Sequence, residues 1–145
     1  MKFLKKFSYV IVLSLMVSAC TSNTQNTSGC ATECSYTLAS GETAGTAPTS
    51  LEGTHNLTFD FAQTGAPFTN GTTGTFTLVN NELTVEISGQ DCITLKNPVQ
   101  TSPSEYTFKD DCRDNLSYAV SSNQSGALNE INVQSLSNNW YGQFN

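Results

Sequence analysis

From residue 53 onward, apolar and polar side chains alternate with a period of two, and this pattern restricts the fold more than any other feature. The runs are short and are bounded by Gly, Pro, Asn, Asp and Ser, which predicts half-buried strands joined by turns. No stretch of about eleven residues or more keeps a helical stripe, so residues 53–145 are predicted to be all β. The apolar positions of the eight predicted strands are Leu57, Phe59 and Phe61; Phe76 and Leu78; Leu83, Val85 and Ile87; Ile93 and Leu95; Tyr106 and Phe108; Leu116, Tyr118 and Val120; Ile131 and Val133; Trp140 and Phe144.

Consecutive strands of similar length predict an antiparallel meander of about eight short strands, which forms a small barrel or, alternatively, a β-sandwich. Barrel closure is favoured because the last strand, residues 140–144, can pair with the first and hide both sheet edges. The polar connection between residues 62 and 75 is too long for a tight turn. Phe68 within it is expected either to plug one end of the core or to gate a cavity.

One hairpin can be aligned from the sequence. Asn80 and Asn81 fit a two-residue turn, because asparagine tolerates the positive φ that such a turn requires. The turn pairs residues whose numbers sum to 161, and so sets Phe76 opposite Val85. The apolar side chains of both strands then share one face, and a slip of one residue would destroy this match.

Two later hairpins are predicted in the same way. The strand at residues 93–95 is expected to pair with the strand at 106–108 across a longer loop. The last hairpin turns at residues 138–139 and sets Val133 against Phe144. These pairings continue the meander to the end of the chain.

The beginning of the chain has a different character. Three lysines within residues 2–6 precede an apolar run over residues 7–17, which ends in Val17-Ser18-Ala19-Cys20. The run is too short to span a bilayer, which needs about 20 residues. The pattern resembles the lipobox of bacterial lipoproteins, in which the cysteine is lipidated and becomes the first residue of the mature protein. Residues 1–19 are therefore predicted to be a signal peptide; an ordinary secretory signal or an uncleaved anchor are the alternatives.

The lipoprotein resemblance has consequences for location. It implies more than one acyl chain, palmitate included, on Cys20, and hence stable membrane attachment, since a single chain holds a protein only marginally. Thr21, and not aspartate, follows the cysteine. By resemblance, this favours the outer membrane over the inner membrane of the cell envelope.

The five cysteines support this prediction, because an exported chain with five would leave one thiol unpaired. If Cys20 carries lipid, Cys30, Cys34, Cys92 and Cys112 remain, and an even number in an oxidising compartment predicts two disulfides. Of the three possible connectivities, Cys30–Cys34 with Cys92–Cys112 is preferred, because the predicted hairpin brings the second pair together. The other two connectivities stay open.

Residues 20–52 are predicted to be a lipidated, flexible polar tether. Residues 21–29 contain no apolar side chain, and residues 39–53 are rich in Gly, Thr, Ser and Ala. Neither stretch can bury enough surface to offset the entropy of ordering. About 30 flexible residues would hold the β-domain some 30 Å from the membrane on average.

Sites for metals and for catalysis have little support in the sequence. The Cys30–Cys34 spacing resembles that of copper-handling redox proteins, with His55 as a distant ligand, but the strand–helix pattern around such motifs is missing. Asp60 and Glu105 could form a carboxylate pair for glycoside chemistry. The acidic stretch 110–115 could coordinate calcium, although a solvated turn is favoured. We therefore predict a protein that is not an enzyme, with no metal and no cofactor.

Charge narrows the range of partners. Removal of residues 1–19 leaves Lys96, Lys109 and Arg113 against twelve acidic residues, a net charge of 3 − 12 = −9. Nucleic acids and anionic lipid surfaces are bound by basic patches, so neither is an expected partner of the mature chain.

Aromatic residues of the last strands are the predicted ligand-binding residues, namely Tyr106, Tyr118, Trp140 and Tyr141. Aromatic faces beside Asn and Gln suit small apolar or sugar ligands; a packed core is the alternative. The predicted function is that of a non-catalytic binding or interaction module, anchored by its lipid, with other envelope proteins or such a ligand as partner. A small-ligand carrier with a barrel cavity and a hydrolase are the alternative functions.

Overall fold

The computed structural model describes residues 30–145, which form one curled, mostly antiparallel sheet of ten strands, a half-barrel. The strands are β1 (Thr32–Ser35), β2 (Gly53–Ala62), β3 (Thr73–Val79), β4 (Glu82–Ile87), β5 (Ile93–Lys96), β6 (Val99–Ser102), β7 (Glu105–Asp110), β8 (Leu116–Ser122), β9 (Leu128–Ser135) and β10 (Tyr141–Phe144), with a 3₁₀ helix at Thr49–Leu51. Their order in the sheet is β1-β5-β4-β3-β2-β10-β9-β8-β7-β6. The predicted all-β class is confirmed. The sheet has two strands more than predicted, because β1 and β6 are too short and too polar to show an alternation.

The hairpin at Asn80 and Asn81 has the predicted register. Phe76 lies opposite Val85, and β3 and β4 pair throughout with residue numbers that sum to 161. Asn80 has a φ of 51° and Asn81 a φ of 66°, the left-handed values of a two-residue turn. The side chain of Asn81 also forms hydrogen bonds outside the hairpin, to the backbone of Gly45 and Ala47.

The two later hairpins differ from their predicted pairing. Strand β5 pairs with β4 and β1, whereas β7 pairs with β6 and β8, so β5 and β7 are not neighbours in the sheet. The physical reason is that residues 99–102, expected to be loop, supply a separate partner strand for β7. In the last hairpin Val133 lies opposite Gly142, and Phe144 lies opposite Ile131. That register is two residues from the predicted one, so the same side chains still face the core.

The first and last strands of the predicted barrel pair as expected, with Phe144 opposite Phe59. Their pairing lies in the middle of the sheet, because β5 and β7 do not pair and the sheet stays open there, with β1 and β6 added at its two ends. Phe68 is buried and its ring contacts those of Phe59, Phe144 and Trp140, so it plugs one end of the core. The ring of Phe59 also lies across Gly142, where any Cβ would overlap it.

The core fills the concave side of the sheet. Its largest fully buried side chains are Tyr118, Phe59, Phe76, Phe108, Phe144, Leu51, Leu78, Leu83, Ile93, Leu95, Ile131 and Val120. All but Leu51 are apolar positions that the alternation assigned to the eight predicted strands. The period-two pattern therefore identified the inner face of the sheet.

Residues 30–52, which we call the edge segment, are ordered and lie along both ends of the sheet, in place of the flexible tether predicted for residues 20–52. The segment begins with β1, parallel to β5, and then forms a bridge from Ala44 to Val99 of β6. The amide of Gly45 donates to the carbonyl of Pro98 at 2.7 Å, and that of Gln100 donates to Thr43 at 2.9 Å. Residues 20–29 lie outside the described residues.

Side chains attach the edge segment to the half-barrel as well. The amide of Ala47 donates to Asn81 Oδ1 at 2.9 Å, and Asn81 Nδ2 donates to the carbonyl of Gly45 at 3.1 Å. Ala47 and Leu51 are buried in the core. This polar stretch is therefore ordered for two reasons. Its backbone forms hydrogen bonds with the strands at the sheet edges, and a few of its apolar side chains reach the core.

An ionic cluster fixes the middle of the edge segment. Lys109 Nζ on β7 donates to Glu42 and to the hydroxyl of Tyr36, and lies 4.5 Å from the centre of the Tyr36 ring. The hydrogen bond from Lys109 lowers the pKa of Glu42 below its ordinary value. Burial acts to lower the pKa of Lys109, but hydrogen bonds to Glu42 and Tyr36 outweigh it, so that this pKa is raised.

The two disulfides join Cys30 to Cys92 and Cys34 to Cys112, with Cα–Cα distances of 5.4 and 5.8 Å. All four predicted cysteines are paired, but the preferred connectivity is corrected. Cys34 lies within β1 and Cys30 two residues before this strand begins, and residues four apart in an extended chain are about 13 Å apart, too far for a disulfide. Each disulfide instead ties the edge segment to a different part of the sheet.

Candidate ligand-binding surface

Three of the four predicted ligand-binding residues lie in the core. Tyr106, Tyr118 and Trp140 are 8%, 1% and 7% exposed and contact the packed interior. The pocket that reaches Tyr118 has a volume of about 10 Å³, room for about one water molecule. Burial raises the pKa of Tyr118, and the carboxylate of Asp110 adds to this shift. These three residues act as core residues, which was the alternative interpretation of the aromatic pattern.

The other surface of the sheet presents an aromatic residue that the alternation assigned to the core. Phe59 lies opposite Phe144, but Phe61 lies opposite Gln143, so one extra residue, Asp60, is inserted in β2. Such a β-bulge re-aims the side chain that follows it. Phe61 therefore points outward and is 46% exposed. The alternation of β2 alone gives no sign of this bulge.

Tyr141, the fourth predicted residue, stands beside Phe61 on the same outer surface. The two ring centres are 5.8 Å apart, with 54° between the ring planes. The alternation of β10 does indicate this placement, since Gly142 and Phe144 face inward and Tyr141 and Gln143 must face outward. Phe61 and Tyr141 thus form a partly exposed aromatic pair.

Polar side chains are fixed next to this pair. The hydroxyl of Tyr141 donates to Asn132 Oδ1, and Asn132 Nδ2 donates to Glu130 Oε1 at 3.0 Å. Gln143 Nε2 donates to the other oxygen of Glu130. We call Phe61, Tyr141, Asn132, Gln143 and Glu130 the outer-face cluster. Its hydrogen bonds hold two amides and a carboxylate in defined orientations.

The cluster is electrically negative. Burial raises the pKa of Tyr141, and the carboxylates of Glu130, Glu105 and Asp60 reinforce the shift. The three cations among residues 30–145 form ion pairs elsewhere: Lys96 with Glu33 and Glu82, Lys109 with Glu42, and Arg113 with Asp110 and Asp114. Anionic ligands would therefore be repelled from this surface.

Beyond the cluster, the outer surface is covered by small side chains. By the strand register, Asn132 lies opposite Ala119, and Ala119 lies opposite Thr107. Ala119, Thr107 and the neighbouring Ser117 are each less than a tenth exposed. Their low exposure shows that neighbouring side chains cover them, so this part of the outer surface is not open to a ligand.

The residues considered for catalysis are not brought together. His55 Nε2 donates to the carbonyl of Leu51 at 3.0 Å, a contact at the start of β2. Asp60 on β2 and Glu105 on β7 are separated by four strand spacings, about 19 Å along the sheet. Paired carboxylates of glycosidases lie about 5–9.5 Å apart, so these two do not form such a pair.

The acidic stretch 110–115 forms a turn. The buried carboxylate of Asp110 accepts the amide of Arg113 at 2.9 Å and that of Asp114 at 3.4 Å. Asn115 has a φ of 53°. Asp110, Arg113 and Asn115 therefore shape the turn, which agrees with the favoured structural interpretation except that Asp110 is buried and not solvated.

One group of possible ligand atoms lies nearby. Cys34, Asp111 and Cys112 have their sulfur and oxygen atoms within 4.8 Å of one another. Both cysteines belong to one disulfide, and metals bind thiolates rather than disulfide sulfurs. The group is therefore not suited to hold a metal.

In the described range, residues 30–145, no helix is long and apolar enough to cross a membrane. Comparisons of the chain with protein-family models, with curated proteins and with solved structures find no match.

Proposed function

We propose that this chain is a lipid-anchored protein of the bacterial cell envelope whose β half-barrel acts as a non-catalytic binding module. The anchor rests on the N-terminal pattern that ends at Cys20, which lies outside the described residues. Two disulfides are typical of proteins outside the cytoplasm. As proposed from the lipobox resemblance, the destination is the outer membrane.

The observation that carries the binding role is the contrast between the two faces of the sheet. Aromatic side chains fill the concave side, whereas Phe61 and Tyr141 stand on the outer side beside fixed amides. A small-ligand carrier needs an enclosed volume of about 300 Å³ or more, and the pocket beside Tyr118 is far smaller. A surface module fits this arrangement better than a carrier.

Attachment is tested by expressing the full chain in a two-membrane bacterium and separating the membranes. We expect the protein in the outer-membrane fraction and an acylated N-terminal Cys20 peptide in its mass spectrum. The Cys20→Ala variant should lose the acyl mass and become extractable from the membranes by an alkaline wash, while the Ser28→Ala control should keep its acyl mass and resist extraction. An unmodified Cys20 in the native protein would refute the anchor.

Binding is tested with the Cys20→Ala chain, which has no lipid to mediate association. We expect it to cosediment with purified cell-envelope fragments, including fragments stripped of lipid. Cosedimentation should survive Glu86→Ala, a change at an exposed position of β4 away from the cluster. If the unlipidated chain stays in the supernatant, the binding role is refuted.

A further inference from the structure

We propose that the outer-face cluster is a saccharide-binding site that takes an uncharged glycan. Phe61 and Tyr141 would contact the face of a pyranose ring, and Gln143, Asn132 and Glu130 would bond its hydroxyls. The inference rests on the proposed binding role, and it names the class of ligand and the residues that hold it.

The aromatic pair supplies one half of the recognition. A pyranose ring has a face of C–H groups and a rim of hydroxyls, so it fits an apolar ring with polar groups beside it. Phe61 offers a ring without polar atoms, and the bulge at Asp60 turns it away from the core. The ring centre of Tyr141 lies 5.8 Å from that of Phe61, and the two ring planes are inclined by 54°, so the rings form an open angle.

The polar members supply the other half, and they are oriented in advance. Each carboxylate oxygen of Glu130 accepts one amide N–H, from Asn132 or from Gln143. A carboxylate oxygen has two acceptor positions, and each amide nitrogen has a second N–H. Both amides and Glu130 therefore keep capacity for ligand hydroxyls. Little ordering entropy is lost on binding, because the internal bonds already restrict these side chains.

Charge selects an uncharged glycan over an anionic one. The carboxylates of Glu130, Glu105 and Asp60 act on Tyr141 and disfavour sulfated, phosphorylated or uronic acid sugars. A basic peptide would be attracted by the same carboxylates but has no use for the aromatic faces, so the oligolysine in the test below separates it from a glycan.

The test uses the full-length protein in detergent micelles and immobilised hexasaccharides of glucose, galactose, mannose and N-acetylglucosamine. A sulfated glycan and an oligolysine peptide complete the panel. We expect binding to at least one uncharged glycan, and a loss of affinity of about tenfold or more in Phe61→Ala, as for an aromatic hot spot. Gln143→Ala should also weaken binding, and Phe61→Trp should retain it.

Val79→Ala is the matched control, because Val79 is an apolar strand residue with a similar exposure of 42%. It should leave glycan binding unchanged. Urea unfolding of each variant, followed by the fluorescence of the single tryptophan, Trp140, checks that the fold is intact.

Three outcomes would overturn the inference: no binding to any uncharged glycan, preference for the sulfated glycan or the oligolysine, or glycan binding that Phe61→Ala leaves unchanged. If envelope cosedimentation persists in any of these cases, the proposed binding role stands and only the glycan site is refuted. If cosedimentation is also lost, both fail.

Discussion

The disulfides between the edge segment and the sheet allow a quantitative prediction about stability. Cys34–Cys112 closes a loop of 78 residues in sequence, and Cys30–Cys92 one of 62. The two loops are not independent. With one disulfide intact, the chain between the other two cysteines runs through it, and the effective loop shrinks to the four residues from Cys30 to Cys34 plus the twenty from Cys92 to Cys112.

The chain-entropy relation converts these loops into free energies of unfolding. An effective loop of about 24 residues corresponds to about 3.5 kcal/mol, the expected cost of removing either disulfide alone. Removal of the second disulfide then releases a loop of 62 or 78 residues, at about 4.4 kcal/mol. The double loss should therefore cost about 8 kcal/mol, about 1 kcal/mol more than twice a single loss. Since most domains have a stability of about 5–15 kcal/mol, the chain without disulfides should be marginal or unfolded.

The measurement is urea unfolding followed by the fluorescence of Trp140, which is the only tryptophan and is buried. One paired variant replaces Cys34 and Cys112 by alanine, and the other replaces Cys30 and Cys92. A single-disulfide loss below about 1 kcal/mol would contradict the loop reasoning. Thiol labelling in denaturant, in a chain with Cys20 also replaced, checks the pairing, because both variants should contain no free thiol. Two reactive thiols would refute the connectivity.

Three further predictions concern the turn, the sheet centre and pH. Asn81→Gly should destabilise the protein by about 1–3 kcal/mol in urea unfolding, because it removes two side-chain hydrogen bonds; Asn80→Gly should be neutral or slightly stabilising, since glycine adopts its φ of 51° freely. Gly142→Ala should cost about 1–3 kcal/mol in the same assay, because the added methyl group overlaps a buried ring. The lowered pKa of Glu42 means that its stabilising effect is present above its ordinary pKa of 4.5 and is lost as pH falls through the folded-state value. Thermal melts of Glu42→Gln should accordingly lose less stability than wild type on acidification below pH 4.5; equal acid sensitivity would exclude this role of the pair with Lys109.

The inner face and one hairpin could be read from the sequence, because local rules determine them. An alternation of period two assigns each side chain to a face, and the asparagine pair at 80–81 fixes a register that any slip would spoil. The last hairpin shows the limit of this reasoning. Its register is off by two residues, an error that leaves every face assignment intact and so gives no sign in the pattern.

The connectivity, the bulge and the edge segment could not be read in this way, because each depends on contacts distant in sequence. Thr43 and Ala44 are ordered because their backbone hydrogen-bonds to the edge of β6, and not because of their own side chains. The outward turn of Phe61 comes from one unpaired residue opposite β10. Residue composition reports neither kind of contact.

The ordered edge segment shortens the link between the proposed anchor and the sheet. Cys30 is fixed to Cys92, so ten residues in sequence number separate it from Cys20, and covalent geometry limits this span to about 35 Å. A tether flexible to residue 52 would instead allow the domain to reach more than about 100 Å. Neutron reflectometry on the lipidated protein in a supported bilayer measures this distance. We expect the near face of the protein layer within about 35 Å of the headgroups, extending further out only after the disulfides are reduced; a layer that already begins beyond that limit in oxidised protein would contradict the fixed attachment of the edge segment.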